Sequence, residues 1–257
     1  MKRTLFLLLL GSCQLVFELD PCQTSTGNDE DGDGIDDGCD NCPTVENPSQ
    51  ENTLEAEPDA LGDACDPDPL APGNQIVLLE TFSGPSVDVR WSDAAGRWRI
   101  NANGKLVHES TNPDLDPVFD LVPPGLAPPY RLVYDVEIIS LPDQYSELGV
   151  VVDADDSGGL RCSLVRYPGD FAMLLVEATD GRDDSLPGLE LVNDEKYTVT
   201  LDYVSTTEAS CSVARPSTGF TTQDNMLAFQ PFTPGGRLGF KSHLIDARIS
   251  YVIAYSR

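Results

Sequence analysis

Residues 130–140 read YRLVYDVEIIS, and their alternation of apolar and polar side chains decides the fold class. Successive side chains of a strand point to opposite faces, so a period of two places one set in the core. The set predicted to face the core is Leu132, Tyr134, Val136 and Ile138, and the opposite set is Arg131, Asp135 and Glu137. No helical period is sustained elsewhere in the chain. The stretch therefore predicts a strand with one buried face.

Other segments repeat this alternation. Tyr197–Val204 is predicted to bury Tyr197, Val199, Leu201 and Tyr203, and Ala247–Tyr255 to bury Ile249, Tyr251, Ile253 and Tyr255. Leu148–Ala154 and Leu160–Tyr167 flank the turn sequence Asp155–Gly159, which predicts a hairpin. Shorter strand candidates are Ile76–Phe82, Arg97–Ile100, Lys105–Glu109, Ala172–Ala178, Ser210–Ala214 and Arg237–Lys241. The pattern predicts an all-β fold, a sandwich of two antiparallel sheets.

Two cysteines belong to these strands. Cys162 shares its face with Leu160 and Leu164, and Cys211 shares its face with Val213, so both are expected to point into the core. A bridge between two strands is then geometrically possible, and two buried free thiols are the alternative.

The amino terminus has the pattern of an export signal. A short positive segment, Met1–Thr4, precedes the apolar run Leu5–Leu10, which is too short to span a bilayer. Leu10-Gly11-Ser12-Cys13 resembles the bacterial lipobox. The resemblance implies that residues 1–12 are removed as a lipoprotein signal peptide and that Cys13 carries the lipid. Ordinary secretory cleavage a few residues later, with loss of Cys13, is the alternative.

Either route exports the protein to an oxidising compartment, where disulfides form. Gln14 stands where an inner-membrane retention signal would have Asp, so the resemblance implies the outer membrane or cell surface. No apolar run reaches the ~18 residues of a membrane span, so membrane contact is expected through the lipid anchor only.

The charge of the chain excludes several functions. It has 43 acidic and 16 basic residues, a net charge of −27. Nucleic acid binding needs a basic face, and docking on anionic lipid needs clustered cations, so neither partner is expected. The charge is also uneven, because residues 13–75 contain 17 acidic residues and no Lys or Arg. A disordered acidic tail is the simplest interpretation of such a block.

The spacing of the acids argues against disorder. Residues 28–43 read NDEDGDGIDDGCDNCP, in which acidic side chains alternate around a glycine as in a calcium loop. Alternate residues of a tight loop point their oxygens inward, and Gly34 permits the sharp turn. The predicted Ca²⁺ ligands are Asp29, Asp31, Asp33, the carbonyl of Ile35, Asp37 and Asp40. Flanking helices, which an EF-hand requires, are not predicted.

The segment that follows completes a longer pattern. Asp40-Asn41-Cys42-Pro43, Asn47-Pro48-Ser49-Gln50 and Gly62-Asp63-Ala64-Cys65-Asp66 resemble the thrombospondin type 3 repeat over residues 28–66. The resemblance implies a short irregular segment, stabilised by calcium and by a Cys42–Cys65 bridge, which would leave Cys22 for Cys39. A second site at Glu55, Glu57, Asp59 and Asp63 stays open, because Glu stands at two usual Asp positions and Ala60 replaces a turn glycine.

The chain then divides into regions. After residues 1–12 come a linker over 13–27, the calcium-binding spacer over 28–66, a Pro-rich linker over 67–74 and the β domain over 75–257. Glu80-Thr81-Phe82-Ser83-Gly84, Asn103-Gly104-Lys105-Leu106 and Gly236-Arg237-Leu238-Gly239-Phe240 resemble concanavalin A-like (laminin G-like) jelly rolls. That resemblance implies the fold and leaves the activity open.

Catalytic patterns are not evident in the sequence. The Glu-x-Asp-x-x-Glu strand of family 16-like glycosidases does not occur, and Asp135 and Glu137 are predicted to face outward. Trp91 and Trp98 are either sugar-stacking residues or core. We therefore expect a non-enzymatic module that binds a glycan or another surface protein. A less common glycoside hydrolase and a purely structural envelope protein are the alternatives. Two inward carboxylates on a concave sheet would favour the hydrolase, and polar outer faces without exposed aromatics would favour the structural role.

Overall fold

The computed structural model describes residues 27–83, 91–92, 98–108, 118–121, 126, 128–155, 158–169, 171–178, 182–222, 225–229 and 237–256, and every structural statement below concerns these residues. The expected signal peptide over 1–12, Cys13, Cys22 and nearly all of the expected linker over 13–27 lie outside them. No helix in the described part of the chain is long and apolar enough to cross a membrane.

The described residues form strands joined by turns. In chain order these are β1 (Ile76–Glu80), β2 (Trp91–Ser92), β3 (Trp98–Ile100), β4 (Leu106–His108), β5 (Val118–Leu121), β6 (Tyr130–Ser140), β7 (Ser146–Asp155), β8 (Gly158–Tyr167), β9 (Phe171–Glu177), β10 (Asp183–Pro187), β11 (Glu195–Ser205), β12 (Glu208–Arg215), β13 (Phe220–Thr221), β14 (Asn225–Ala228), β15 (Arg237–His243) and β16 (Asp246–Ser256). A 3₁₀ turn, Pro216–Thr218, precedes β13.

These strands build two antiparallel sheets. The first has the order β13-β12-β11-β6-β16-β4-β3, with β1 also on β16 and β14 also on β12. The second has the order β10-β9-β8-β7-β15-β5-β2. The expected all-β, jelly-roll sandwich is confirmed. Its core contains the predicted inward sets of β6 and β11, whose members are less than 1% exposed.

The core also contains the cysteines and tryptophans of the β domain. Cys162 on β8 is bridged to Cys211 on β12, so the disulfide joins the two sheets. Trp91 stacks on Phe240 with ring centroids 6.0 Å apart, and Trp98 lies 4.8 Å from the His108 ring. Both tryptophans are only 6% exposed. They are therefore core residues, as one of the two predictions had it, and do not form an exposed platform for sugars.

Strand β16 departs from the predicted alternation. Ile249 pairs with Val136 and Tyr251 with Asp135, so Ser250 is an extra residue in a β-bulge. One extra residue moves every following side chain to the opposite face of the sheet. The prediction that Tyr251, Ile253 and Tyr255 join Ile249 in the core between the sheets was therefore wrong. They lie on the outer face of the first sheet.

Candidate functional site

The acidic segment, residues 27–74, is held by turns and side-chain hydrogen bonds instead of strands. Cys42 is bridged to Cys65, as the resemblance implied, with Cα atoms 5.5 Å apart. Cys39 is also disulfide-bonded. The bridge closes a loop over residues 43–64 that contains six of the acidic side chains, and it holds the two ends of that loop in fixed positions.

The first acidic cluster consists of Asp29, Asp31 and Asp33, each with one carboxylate oxygen within 4.8 Å of the others. Asp29 accepts hydrogen bonds from the backbone N–H groups of Gly32 and Gly34, at 2.8 and 3.0 Å. Gly34 has a φ of 96°, a left-handed conformation that favours glycine. The turn that the sequence predicted therefore brings three of the six predicted ligands together.

Asp31 is the most informative residue of this cluster. Burial, opposed by a hydrogen bond from the Asp33 N–H and reinforced by the charges of Asp33, Asp40 and Asp29, raises the pKa of Asp31 to about 6. Its Oδ2 is buried and has no hydrogen-bond partner among the described residues. A buried carboxylate oxygen without a donor is costly in water-free surroundings, and a cation would satisfy it.

The remaining predicted ligands of the first site make other contacts. Asp37 accepts from the side-chain amide of Asn28 at 2.6 Å and from the N–H of Glu30 at 2.9 Å. Asp40 Oδ1 accepts from Cys42 N and Gln50 Nε2, both at 2.7 Å, while its Oδ2 is buried without a partner in the described part of the chain. The Ile35 carbonyl as a ligand stays a prediction.

The second acidic cluster consists of Glu55, Asp59 and Asp66, again within 4.8 Å. Glu55 is only 6% exposed, and its Oε1, like Asp66 Oδ2, has no hydrogen-bond partner among the residues described. Asp59 Oδ2 accepts from the N–H groups of Gly73 and Asn74, at 3.0 and 2.6 Å. The cluster therefore joins the loop to the residues that lead into β1.

This second cluster differs from the predicted one. Glu57 is exposed, and Asp63 instead accepts hydrogen bonds from the backbone of Thr53 and Leu54. Asp66 takes their place, and the sequence offered a signal for it. It follows Cys65 in the motif that carried the family resemblance, so the Cys42–Cys65 bridge fixes its position.

Both clusters suit the same chemistry. Ca²⁺ takes about six to eight oxygen ligands at roughly 2.3–2.6 Å, so oxygens on opposite sides of one ion lie about 5 Å apart. Carboxylates within 4.8 Å, with buried oxygens that lack donors, meet that requirement. The residues present therefore fit a hard divalent cation such as Ca²⁺.

The acidic segment lies against the outer face of the first sheet. Leu61, between the residues of the second cluster in sequence, is fully buried on Tyr251, Ile253 and Tyr255. Thr44 Oγ1 lies 3.4 Å from the hydroxyl of Tyr255. Burial of Tyr255 raises its pKa to about 12, although the contact with Thr44 lowers the pKa. The segment that the sequence suggested as a spacer thus covers the face that the β16 bulge makes apolar.

The outer face of the second sheet carries a different arrangement, which we call the Glu147 network. Glu147 on β7 is fully buried and accepts hydrogen bonds from Ser163 at 2.8 Å, Tyr145 at 2.9 Å and Lys241 at 3.3 Å. The Arg161 guanidinium lies 3.6 Å from Oε1, the carboxylate oxygen that also accepts from Ser163. Sequence analysis missed this network, because Glu147 occupies an outward position that alternation assigns to solvent.

The network keeps its central carboxylate ionised. Burial alone would raise the pKa of Glu147, but the charges of Arg161 and Lys241 and the hydrogen bonds from Ser163 and Tyr145 lower the pKa below its usual range. On the first sheet, by contrast, Asp135 and Glu137 face outward as predicted. Burial raises the pKa of Asp135, and Glu137 pairs with Arg248 at 3.2 Å.

Comparisons with known proteins support the fold. No family model and no curated protein matches the chain. Among solved structures, a legume lectin-like domain from Entamoeba histolytica aligns with a TM-score of 0.52 and 12% identity, over 65% of this chain and 90% of its own. A protein of unknown function with a galectin-like fold from Bacillus subtilis gives 0.53 and 13%, over 71% and 97%. The CBM2 module of the evolved Dit of Lactobacillus casei BL23 phage J-1 gives 0.51 and 10%, over 71% and 95%. At such identities the similarity establishes the fold alone.

Proposed function

We propose that this chain is an exported, lipid-anchored protein that binds Ca²⁺ through its acidic segment and glycan through its β-sandwich, without catalysis. The observation that carries the calcium part is the pair of acidic clusters, in which buried oxygens of Asp31, Glu55 and Asp66 have no donor among the described residues. Ca²⁺ would supply positive charge there and link the loop to the residues before β1.

The lectin-like and galectin-like structures named above support glycan binding as the role of the sandwich. Two features of the second sheet favour this role over the alternatives. Tyr145 and Tyr167 are each 38% exposed on its outer face, which a purely structural module does not need. Arg161 and Lys241 lower the pKa of the Glu147 carboxyl, which disfavours it as the general acid that a glycosidase requires.

Calcium binding by the acidic segment is tested by calorimetric titration of Ca²⁺ into the chelator-treated chain. Binding is expected in the wild type and weaker binding in Asp31→Asn and in Glu55→Gln. Unchanged affinity in both variants would refute the assignment of ligands. The control is Glu57→Gln, because Glu57 is exposed and lies outside both clusters.

Glycan binding and anchoring need separate tests. The chain is applied to a broad glycan array with calcium and with chelator, where saturable binding is the expected result and its absence in both conditions contradicts the role. Mass spectrometry of membrane-extracted protein is expected to find acyl chains on Cys13, and Cys13→Ala is expected to release the protein. A soluble wild type with an amino terminus beyond Cys13 would contradict the anchor.

A further inference from the structure

The Glu147 network is built around a position without a side chain. Gly149 lies between Ser163 on β8 and Lys241 on β15, its direct partners across the two neighbouring strands. A Cβ atom at Gly149 would overlap Ser163 Oγ and the carbonyl of Cys162. The missing side chain leaves the space in which Glu147 reaches Ser163, and it lets charged groups from three strands meet over the backbone.

Two aromatic rings stand at one end of this network. Tyr145 and Tyr167 are in contact, with ring centroids 5.4 Å apart, and His243 lies 5.6 Å from Tyr145. The hydrogen bond from the Tyr145 hydroxyl to Glu147 fixes the orientation of the first ring. Exposed rings that are held in place can bind an apolar surface with little loss of side-chain entropy.

A donor and an acceptor stand at the other end. Arg161 on β8 lies directly opposite Glu177 on β9, and the two side chains form an ion pair. Both remain partly exposed, at 23% and 31%. Because Glu147 also holds the Arg161 guanidinium, the pair presents fixed hydrogen-bonding groups to a ligand on this face.

The geometry points to a binding site for an uncharged oligosaccharide on this face, with Tyr145 and Tyr167 stacking on sugar rings and Arg161 and Glu177 binding hydroxyl groups. This site deepens the proposed glycan-binding function and depends on it. This face lies on the second sheet, whereas the acidic segment packs on the first sheet.

Charge and length define the ligand class. Arg161 and Lys241 are balanced by Glu147 and Glu177, so these four side chains carry no net charge, and the whole chain carries −27. A polyanionic saccharide would be repelled at long range. Tyr145 and Tyr167 are two contacting rings, and the Arg161 guanidinium reaches the same Glu147 carboxylate that binds the Tyr145 hydroxyl. Because each exposed ring can stack on one sugar, two rings suit a ligand of at least two sugar units better than a single sugar.

The experiment measures binding of the full chain to neutral gluco-, manno-, galacto- and fructo-oligosaccharides of one to six units, beside polygalacturonate and alginate. We expect a neutral series to bind, with affinity rising with length. Tyr145→Ala and Tyr167→Ala should each weaken binding by about tenfold. The matched control is Phe220→Ala, which removes an equally exposed ring from the first sheet and should leave affinity unchanged.

Each contrary outcome has a distinct meaning. Wild-type affinity in both tyrosine variants would overturn the site and leave glycan binding standing. Tighter binding to a polyuronate, or equal affinity for monosaccharide and oligosaccharide, would overturn the ligand class. Binding to none of the saccharides would overturn both the site and the proposed function. Thermal unfolding of each variant checks the fold, and Tyr145→Phe, which keeps the ring, should retain most of the affinity.

Discussion

On the outer face of the first sheet, Tyr251 and Tyr255 are 9% and 2% exposed, whereas Tyr145 and Tyr167 on the outer face of the second sheet are each 38% exposed. The first pair is covered by Leu61 of the acidic segment, and the second pair remains accessible beside a charged network. Similar aromatic residues at outward positions are therefore buried on the first sheet and partly exposed on the second, because the acidic segment covers only the first pair.

The polar groups differ in the same way. Contacts between the segment and the first sheet include the pair between Glu30 and Lys105 and the approach of Thr44 to Tyr255. On the second sheet, side chains of the sheet pair with one another around Glu147. We therefore expect substitutions on the outer face of the first sheet to change stability through the acidic segment and its calcium. Substitutions on the outer face of the second sheet should change stability independently of both.

Leu61→Ala should have the largest effect. Removing a fully buried leucine from the contact with Tyr251 and Tyr255 should lower the free energy of unfolding by about 3 kcal/mol, because a cavity replaces apolar contacts. Chemical denaturation followed by tyrosine fluorescence measures it. Leu70→Ala is the matched control, since Leu70 lies in the same segment at 77% exposure and should change stability little. A loss from Leu61→Ala as small as the loss from Leu70→Ala would mean that the segment does not stabilise the first sheet.

Glu147→Gln should come next, with a loss of about 2 kcal/mol, because the amide cannot balance Arg161 and Lys241 in a buried position. The loss should be the same with calcium and with chelator, which separates this face from the first. Glu190→Gln removes a carboxylate that also pairs with an arginine but is 79% exposed, so it should cost less than about 0.5 kcal/mol. Denaturation curves in both conditions decide the point, and a calcium-dependent loss would contradict the separation of the faces.

These two residues also mark how far the sequence allowed prediction. Alternation predicted the sandwich and the buried faces of β6 and β11, because period two depends only on local backbone geometry. It failed at β16, where the bulge at Ser250 depends on pairing with β6 and shifts Tyr251 to the other face. It also missed Glu147, whose partners come from β8 and β15 and are brought together only by the sheet order.

The acidic segment shows the same limit. The motif predicted Asp29, Asp31 and Asp33 as one cluster, since its spacing is local. The second cluster takes Asp66 from a position that only the folded loop brings near Glu55 and Asp59. The burial of Leu61 could not be predicted either, because it depends on the bulge in a strand at the far end of the chain.

The pH dependence of calcium binding should be the third largest effect. The pKa of Asp31 is raised from 3.8 to about 6. Between these two pH values the folded, calcium-free protein keeps a proton on Asp31 that the unfolded chain has lost. This contribution to stability is full below pH ~4 and is lost as the pH rises through about 6. Calcium needs the carboxylate, so affinity at the first cluster should fall about tenfold from pH 7 to pH 5.

Calorimetry in buffers of different ionisation enthalpy should detect proton release on calcium binding near pH 6. Asp31→Asn should reduce that release, and Asp68→Asn should not, because Asp68 is exposed and lies outside both clusters. Affinity that does not change between pH 5 and pH 7 would show that the first cluster does not bind the ion through Asp31. The loss of stability caused by Glu147→Gln should be the same from pH 5 to pH 7, because the lowered pKa of Glu147 keeps its carboxylate ionised over that range.

The smallest expected effect tests whether the cover on the first sheet is apolar or polar. Thr44 Oγ1 and the Tyr255 hydroxyl lie 3.4 Å apart, at the outer limit of a hydrogen bond, so Thr44→Val and Tyr255→Phe should each cost about 0.5 kcal/mol. Their double-mutant cycle should give a coupling energy near zero, while the cycle of Leu61→Ala with Tyr255→Ala should give a large one, because Leu61 packs on the ring. A strong coupling between the two hydroxyl groups and a weak one for Leu61 would contradict an apolar contact. Polar contacts would then hold the segment on the first sheet, as polar contacts around Glu147 hold the strands of the second sheet together.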